Sequence, residues 1–340
     1  MFEDLFENSQ NADAVGQLSK NKMTFYGTEA EYKKRKKNKQ LIELVTGLTY
    51  RKDNLSSSFQ IRDETENEIF LPQDFQNQTQ YNVFDAYADA TYLYPITEDL
   101  SLTGNLSAHQ LVNSLTQNNL KQENQSLFYL QPNLNLRWKL DTKNMLIANY
   151  AYSTNNASII EVYQNNILTN FRGFNRGIAE PTQLNASNYL LTYRLGNFGD
   201  NFFANTSINY IQNHDFFSSR TILEQDYQIS EKILIEDQEF IAVNANIDRY
   251  IKVISSNIKL KLSYSQTDFV NFVNTSGRRD INNQSYTYGL ELRSGFLSGF
   301  NYHLGTDFRT SEVETSQANF INSFSNRFSF LFAVVLHHGI

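Results

Sequence analysis

Between Leu127 and Leu140 the chain reads LFYLQPNLNLRWKL, with Phe128, Leu130, Pro132, Leu134, Leu136, Trp138 and Leu140 at one parity. Tyr129, Gln131, Asn133, Asn135, Arg137 and Lys139 occupy the other. Alternation of period two marks a β-strand with one apolar and one polar face. The run is about fourteen residues long, more than twice the usual strand of a soluble domain. The pattern returns in 84–94 (FDAYADATYLY), 100–108, 202–210, 258–264, 286–296 and 300–308, and more weakly in 42–50 and 328–332. No segment sustains a helical period of 3.6 over three turns.

The connections alternate in length. Short ones fall at 36–39, 95–99 (PITED), 141–144 (DTKN), 196–200 (GNFGD), 255–257 and 297–299, with the Asn, Asp, Gly, Ser and Pro of tight turns. Long polar ones are expected at 53–80, 115–126, 154–184, 213–238, 273–284 and 313–323. Strand, short turn, strand, long loop repeats about six times and gives about thirteen strands.

A membrane explains this regularity better than a core does. A tilted strand needs about nine to eleven residues to cross the apolar slab. Every backbone polar group must pair laterally, which forces antiparallel neighbours. One face meets lipid and the other water, with short periplasmic turns and long external loops. Tyr92, Tyr94 and Trp138 lie near short turns, and Tyr50, Phe128 and Tyr210 near long ones, as interface aromatics do. The expected fold is all-β: an antiparallel transmembrane β-barrel of the outer membrane of a Gram-negative bacterium, partial at about thirteen strands. Residues 23–336 would form the barrel, 1–22 an N-terminal segment or the end of an external loop, and 337–340 an irregular tail. The polar parity carries Asp85, Asp89, Arg137, Lys139, Glu291, Arg293, Asp307 and Arg309, which suits a water-filled or plugged lumen.

Composition narrows the function classes. The 340 residues include 26 Phe, 20 Tyr, 4 Pro and no Cys. Absence of Cys excludes disulfides, thiolate metal sites and a thiol nucleophile. Net charge is -7, and the one dense basic run, 33–39 (KKRKKNK), reads as a solvated turn, which argues against a nucleic-acid partner. No run of eighteen apolar residues offers a transmembrane helix. Residues 1–17 lack the basic and apolar regions of a signal peptide, so the chain reads as a piece of a larger barrel.

The loop Phe171-Arg-Gly-Phe-Asn-Arg176, the stretch from Pro181 to Tyr210 and the Asn-rich strands with long loops resemble the C-terminal barrel half of a TonB-dependent outer-membrane receptor of the Bacteroidetes type. The resemblance implies a plug domain inside a 22-stranded barrel and import of a scarce ligand: a siderophore, cobalamin, oligosaccharide or peptide. It implies outer-membrane lipid, the TonB complex and a surface lipoprotein as partners. Neither a plug nor a TonB box is visible before the strands. A passive outer-membrane channel or structural barrel, and a soluble β-rich adhesin, are the other readings.

Candidate chemistry is sparse. Phosphate loops, Ser-His-Asp arrangements and His-carboxylate metal spacings are absent, so neither enzyme activity nor a cofactor is expected. His109 and His303 lie on the polar parity, as solvated lumen residues. Asp85 and Asp89 stand about 13 Å apart along one face, too far to share a proton. Phe171, Arg172, Phe174 and Arg176, with Tyr163 and Phe216, are candidate ligand contacts, because aromatic rings stack on flat ligands and Arg grips anions bidentately. A self-packed loop is the alternative. The Asn-x-Ser/Thr triplets at Asn54, Asn77, Asn205 and Asn274 are read as chance.

Overall fold

A computed structural model describes residues 14–62, 68–70, 72–122, 124–196, 201–294, 300–315 and 318–334. The strands are β1 (Ala14–Arg35), β2 (Leu41–Arg62), β3 (Glu68–Phe70), β4 (Asn77–Pro95), β5 (Leu100–Gln117) and β6 (Leu120–Lys121). Next come β7 (Gln125–Lys139), β8 (Asn144–Asn156), the single-turn helix α1 (Ile159–Val162), β9 (Ile167–Asn170) and β10 (Gly173–Arg176). The remainder are β11 (Gln183–Leu195), β12 (Phe202–Leu223), β13 (Gln228–Ile251), β14 (Ser256–Val273), β15 (Arg279–Ser294), β16 (Phe300–Thr315) and β17 (Ala318–Val334).

The long strands, 13 to 24 residues each, form one antiparallel meander: β1, β2, β4, β5, β7, β8, β11, β12, β13, β14, β15, β16 and β17. Among the described residues, β1 and β17 are its edges. Local chemistry sets the short turns between them. Asp141 Oδ1 accepts the backbone N–H groups of Lys143 and Asn144 at 2.7 and 2.8 Å, closing the β7–β8 turn. Lys39, Gly196 and Ser255 supply positive φ in three others.

Several boundaries differ from the sequence expectation, among them the expected loop 53–80, where β2 runs on to Arg62 and β4 begins at Asn77. Residues 14–22 belong to β1 rather than to a loop segment. The expected loops 213–238, 273–284 and 313–323 are largely strand: β12 and β13 run on to a tip at 224–227, and β14 and β15 to one at 274–278. Beyond the lipid a two-stranded ribbon still pairs its backbone, but water on both sides removes the need for alternation. The 337–340 tail lies outside the described residues.

Below the level of Tyr50 and Phe84, which pair, the outer face is apolar: Leu44, Leu48, Leu106, Leu130, Leu134 and Leu290 are exposed on it. From Phe84 to Tyr94, ten residues of a strand tilted by ~40° rise about 25 Å, the height of a bilayer's apolar band. Trp138, Tyr92 and Tyr94 mark its lower rim. Above Tyr50 the polarity of the two faces inverts. Lys52, Asn54, Ser56 and Ser58 now point outward, while Leu55, Phe59, Ile61, Tyr81, Leu111 and Leu115 point inward and are buried. The hydrophobic effect drives apolar groups out toward lipid below and in against protein above.

Pro132 stays in strand, facing Leu106 of β5. It lacks an N–H to donate, and the β7–β8 ladder stops one residue short of it, at Asn133 and Ala151. Gln131 Nε2 donates to Thr154 O at 2.9 Å and bridges part of the gap.

The β12–β13 ribbon changes sides. Up to Asn213 and Gln238, β12 lies against β11 and β13 against β14. His214 and Asp237 drop out of the pairing, and Asp237 is left-handed at φ 59. Beyond them β13 pairs in parallel with β10, and Arg220 and Thr221 of β12 pair with Phe272 and Val273 of β14. The two strands have exchanged neighbours, an extreme form of the strong twist that two-stranded ribbons allow.

Candidate functional site

Loop 157–182 folds onto the inner face and buries the apolar surface above the membrane. Ile159, Val162 and Tyr163 pack with Leu55, Tyr81, Val83, Leu111 and Leu115. Phe174 meets Phe59 and Phe75 at ring-centroid distances of 5.7 and 5.0 Å, edge-on in both cases. Amides of the barrel wall tie down the loop's backbone. Asn77 Nδ2 donates to Asn165 O at 3.1 Å while Asn165 N–H donates to Asn77 Oδ1 at 2.9 Å. Gln117 Nε2 donates to Val162 O at 2.7 Å. These bonds satisfy carbonyls and N–H groups that no ladder serves. Asn77 is 2% exposed, which leaves no room for a glycan.

The helix α1 is fixed at both ends. Ser158 and Glu161 form a capping box: Glu161 Oε2 accepts from Ser158 N–H and hydroxyl, each at 2.8 Å. Burial opposes ionisation of Glu161, but the Ser158 hydrogen bonds and Lys232, 3.4 Å from Oε1, outweigh it and hold the carboxyl below its ordinary value. At the other end, Gly177 lets two backbones meet. A Cβ there would lie 2.5 Å from the carbonyl oxygens of Glu161 and Tyr163, and Ile178 N–H donates to Glu161 O at 2.7 Å.

Between this loop, the exchanged β12–β13 ribbon and β14 lies a cavity of about 460 Å³. Aromatic groups of Tyr163, Phe216, Phe217 and Phe269 share it with Asn175, Ser219, Ser230 and Thr267. Its cations are compensated. Arg176 bonds Glu231 at 2.7 Å, and Lys232 lies between Glu161 and the face of Phe217, 5.1 Å from the centroid. Such a site offers stacking surfaces and polar groups for orientation, the usual make-up of a ligand pocket.

The six candidate contacts thus separate. Tyr163, Arg176 and Phe216 line the cavity together. Phe174 is fully buried, so its ring packs the loop and presents no surface to a ligand. Tyr163 is mostly buried too, which pushes its hydroxyl up to about 12. Phe171 is 67% exposed at the loop tip, with the Arg172 guanidinium 5.8 Å from its ring centroid, away from the cavity. Glu161, Glu231 and Lys232, which set the cavity's charge, escaped sequence reading. They stand 55 and 71 residues from their partners, and no local pattern links them.

The eight polar-parity residues all fall on the inner face, at registers opposite the leucine and tyrosine rows. Asp85 binds His109 Nδ1 at 3.0 Å, and the His109 ring is stacked between Tyr87 and Tyr129, so it is a packed group rather than a solvated one. Glu291 pairs with Lys261 and lies 3.6 Å from His303. Arg137 and Lys139 line a cavity near the short turns. Among the described residues no cluster of His and carboxylates has the form of a metal site.

The fold is similar to that of the solved copper transporter OprC, with a TM-score of 0.54 at 10% identity over 86% of this chain and 51% of that one. The ferric citrate transporter FecA in its unliganded form gives a TM-score of 0.48 at 10% identity, over 90% and 54% of the two chains. The siderophore receptor PirA from Acinetobacter baumannii gives 0.47 at 10% identity, over 85% and 50%. These neighbours are TonB-dependent outer-membrane receptors. At such identity the likeness establishes the fold, that of an outer-membrane β-barrel wall. The chain spans about half the length of each of these three solved structures. No protein-family model and no curated protein matches the sequence.

Proposed function

We propose that this chain is the barrel portion of a ligand-gated, TonB-dependent importer in the outer membrane. Its cargo would be a scarce nutrient of the siderophore, cobalamin, oligosaccharide or peptide kind. The observation that carries the reading is loop 157–182, which packs on the inner face and leaves the aromatic cavity at Tyr163, Arg176 and Phe216. A passive pore gains nothing from such a cavity, whereas an importer needs a place where external ligand is held before passage. The similarity in fold to a copper transporter supports the same direction. A plug domain, the TonB complex and a surface lipoprotein are the partners this reading assigns.

Planar-bilayer conductance separates the importer from the passive channel. The full-length protein should pass no steady ion current, because a plug fills the barrel. A stable open-pore current in that protein would overturn the importer reading in favour of the channel. Recovery in the aqueous fraction without detergent would favour the adhesin.

A further inference from the structure

At the end of the inner face near the short turns, a second cavity of about 560 Å³ is lined by Arg137, Lys139, Lys143 and Arg194 together with Asp99, Asp141, Asn144 and Met145. The register explains the cluster. Lys139, Met145 and Arg194 face one another across β7, β8 and β11, and Arg137 lies two residues up the strand from Lys139. Two strand spacings put Lys139 and Arg194 about 10 Å apart, and two residues put Arg137 about 7 Å from Lys139.

Several cations elsewhere on the inner face have carboxylate partners: Arg51 with Asp53 at 2.8 Å, Lys33 with Glu43 at 2.5 Å, and Lys261 with Glu291. Arg293 and Arg309 stand singly without one among the described residues, whereas here three unpaired cations share one space. Among the described residues no carboxylate lies within ion-pair distance of Arg137, Lys139 or Arg194. Arg137 Nε meets only the Met145 thioether, at 3.2 Å, a weak acceptor for a guanidinium. Arg194 Nε is buried and has no hydrogen-bond partner. Asp141 spends its carboxylate on its own turn, accepting from Lys143 N–H, Asn144 N–H and Asn144 Nδ2. In a chain of net charge -7, these three cations share a cavity with Asp99 and Asp141 and yet, among the described residues, none is ion-paired with a carboxylate. Such a cluster is unfavourable until an anion enters it.

We propose that Arg137, Lys139 and Arg194 form a binding site for a multivalent oxyanion, of carboxylate or phosphate chemistry, on the lumen wall near the periplasmic end. Two guanidinium forks and one ammonium converge on the same space, and guanidinium pairs with such groups bidentately. The anion is either a small free species or the side-chain carboxylates of a polypeptide lying against this wall.

The test is titration calorimetry on the full-length protein in detergent, with sodium pyrophosphate and hexaglutamate as probes. Arg194→Gln and Arg137→Gln should each weaken the productive probe about tenfold. Lys34→Gln, which removes one charge from the opposite face at the same end, should leave affinity unchanged. Binding should fall as NaCl rises from 50 to 300 mM, by screening. Pyrophosphate binding with this pattern supports the site with a free anion as ligand. Binding of hexaglutamate alone supports it with a polypeptide as source. Binding of neither, or binding indifferent to both Arg substitutions in protein with normal heat-modifiable mobility, overturns the proposal.

Discussion

The hydroxyl of Tyr87 donates a 2.6 Å hydrogen bond to Glu29 two strands away, across the bare backbone of Gly47. A Cβ at Gly47 would lie 2.5 Å from the Tyr87 ring and hydroxyl. The same inner row continues through His109 and Tyr129, whose rings stack 4.9 Å apart at 7°. Side chains thereby brace strand β1, which among the described residues has a ladder on one side only. Gly47→Val should displace Tyr87 and destabilise the barrel by about 1–3 kcal/mol, the usual cost of overpacking. Adding Tyr87→Phe should then cost little more, because the bond is already lost. Urea unfolding in lipid vesicles measures both, and additive penalties would break the link between the two residues.

Leu134 and Asn133 are chain neighbours with opposite surroundings. Leu134 is exposed on the apolar face in mid-strand, and Asn133 on the inner face accepts from Asn149 Nδ2 at 2.9 Å. Leu134→Arg should cost roughly 2–4 kcal/mol of stability in lipid, the value for a cation at the bilayer midplane. Asn133→Arg should cost less than half as much. Refolding titrations of the two variants in the same vesicles make the comparison.

Phe174 and Phe171 look alike in the sequence and differ in the structure. Phe174→Ala removes the ring that joins loop 157–182 to Phe59 and Phe75, at about 3–5 kcal/mol of local packing. The loop should come away, and trypsin should cut at Arg172 and Arg176 faster on intact cells. Phe171→Ala, at the exposed tip, should leave cleavage unchanged.

Loop docking should also depend on pH. The Glu161 carboxyl is held below its ordinary value of 4.5, so its contribution is complete above that pH. The contribution is lost as pH falls through the lower folded value, where protonation breaks the acceptor role of the capping box. Hydrogen-exchange protection at Val162 and Ile178 should fall over that range in the native protein. In Glu161→Gln it should be lower at neutral pH and flat below it.

The sequence made the membrane-embedded part of this fold legible because lipid imposes its own code. LFYLQPNLNLRWKL alternates since a wet face and a greasy face must both be satisfied, and the long meandering strands follow. The layer above the membrane lacked that code. Leu55, Phe59 and Ile61 alternate in a stretch whose other parity is polar, but the apolar face has switched sides, and the segment reads as loop. Phe174 resembled a ligand contact because an aromatic ring serves a core and a ligand equally well. The exchange of neighbours at His214 and Asp237 left no trace in residue types. It depends on which strand edges remain free once the ladder between β11 and β12 ends at Ala186.

The central claim is that one face of this sheet meets lipid and the other water. With no native Cys, single cysteines can be placed singly along β7 at 128–138 and spin-labelled. Collision rates with oxygen, which partitions into lipid, and with a water-soluble nickel chelate then report each side chain's surroundings. Labels at 128, 130, 134, 136 and 138 should favour oxygen, and those at 129, 131, 133, 135 and 137 the chelate, with period two. Uniform chelate access along the strand, or alternation of the opposite phase, would contradict the membrane-barrel account.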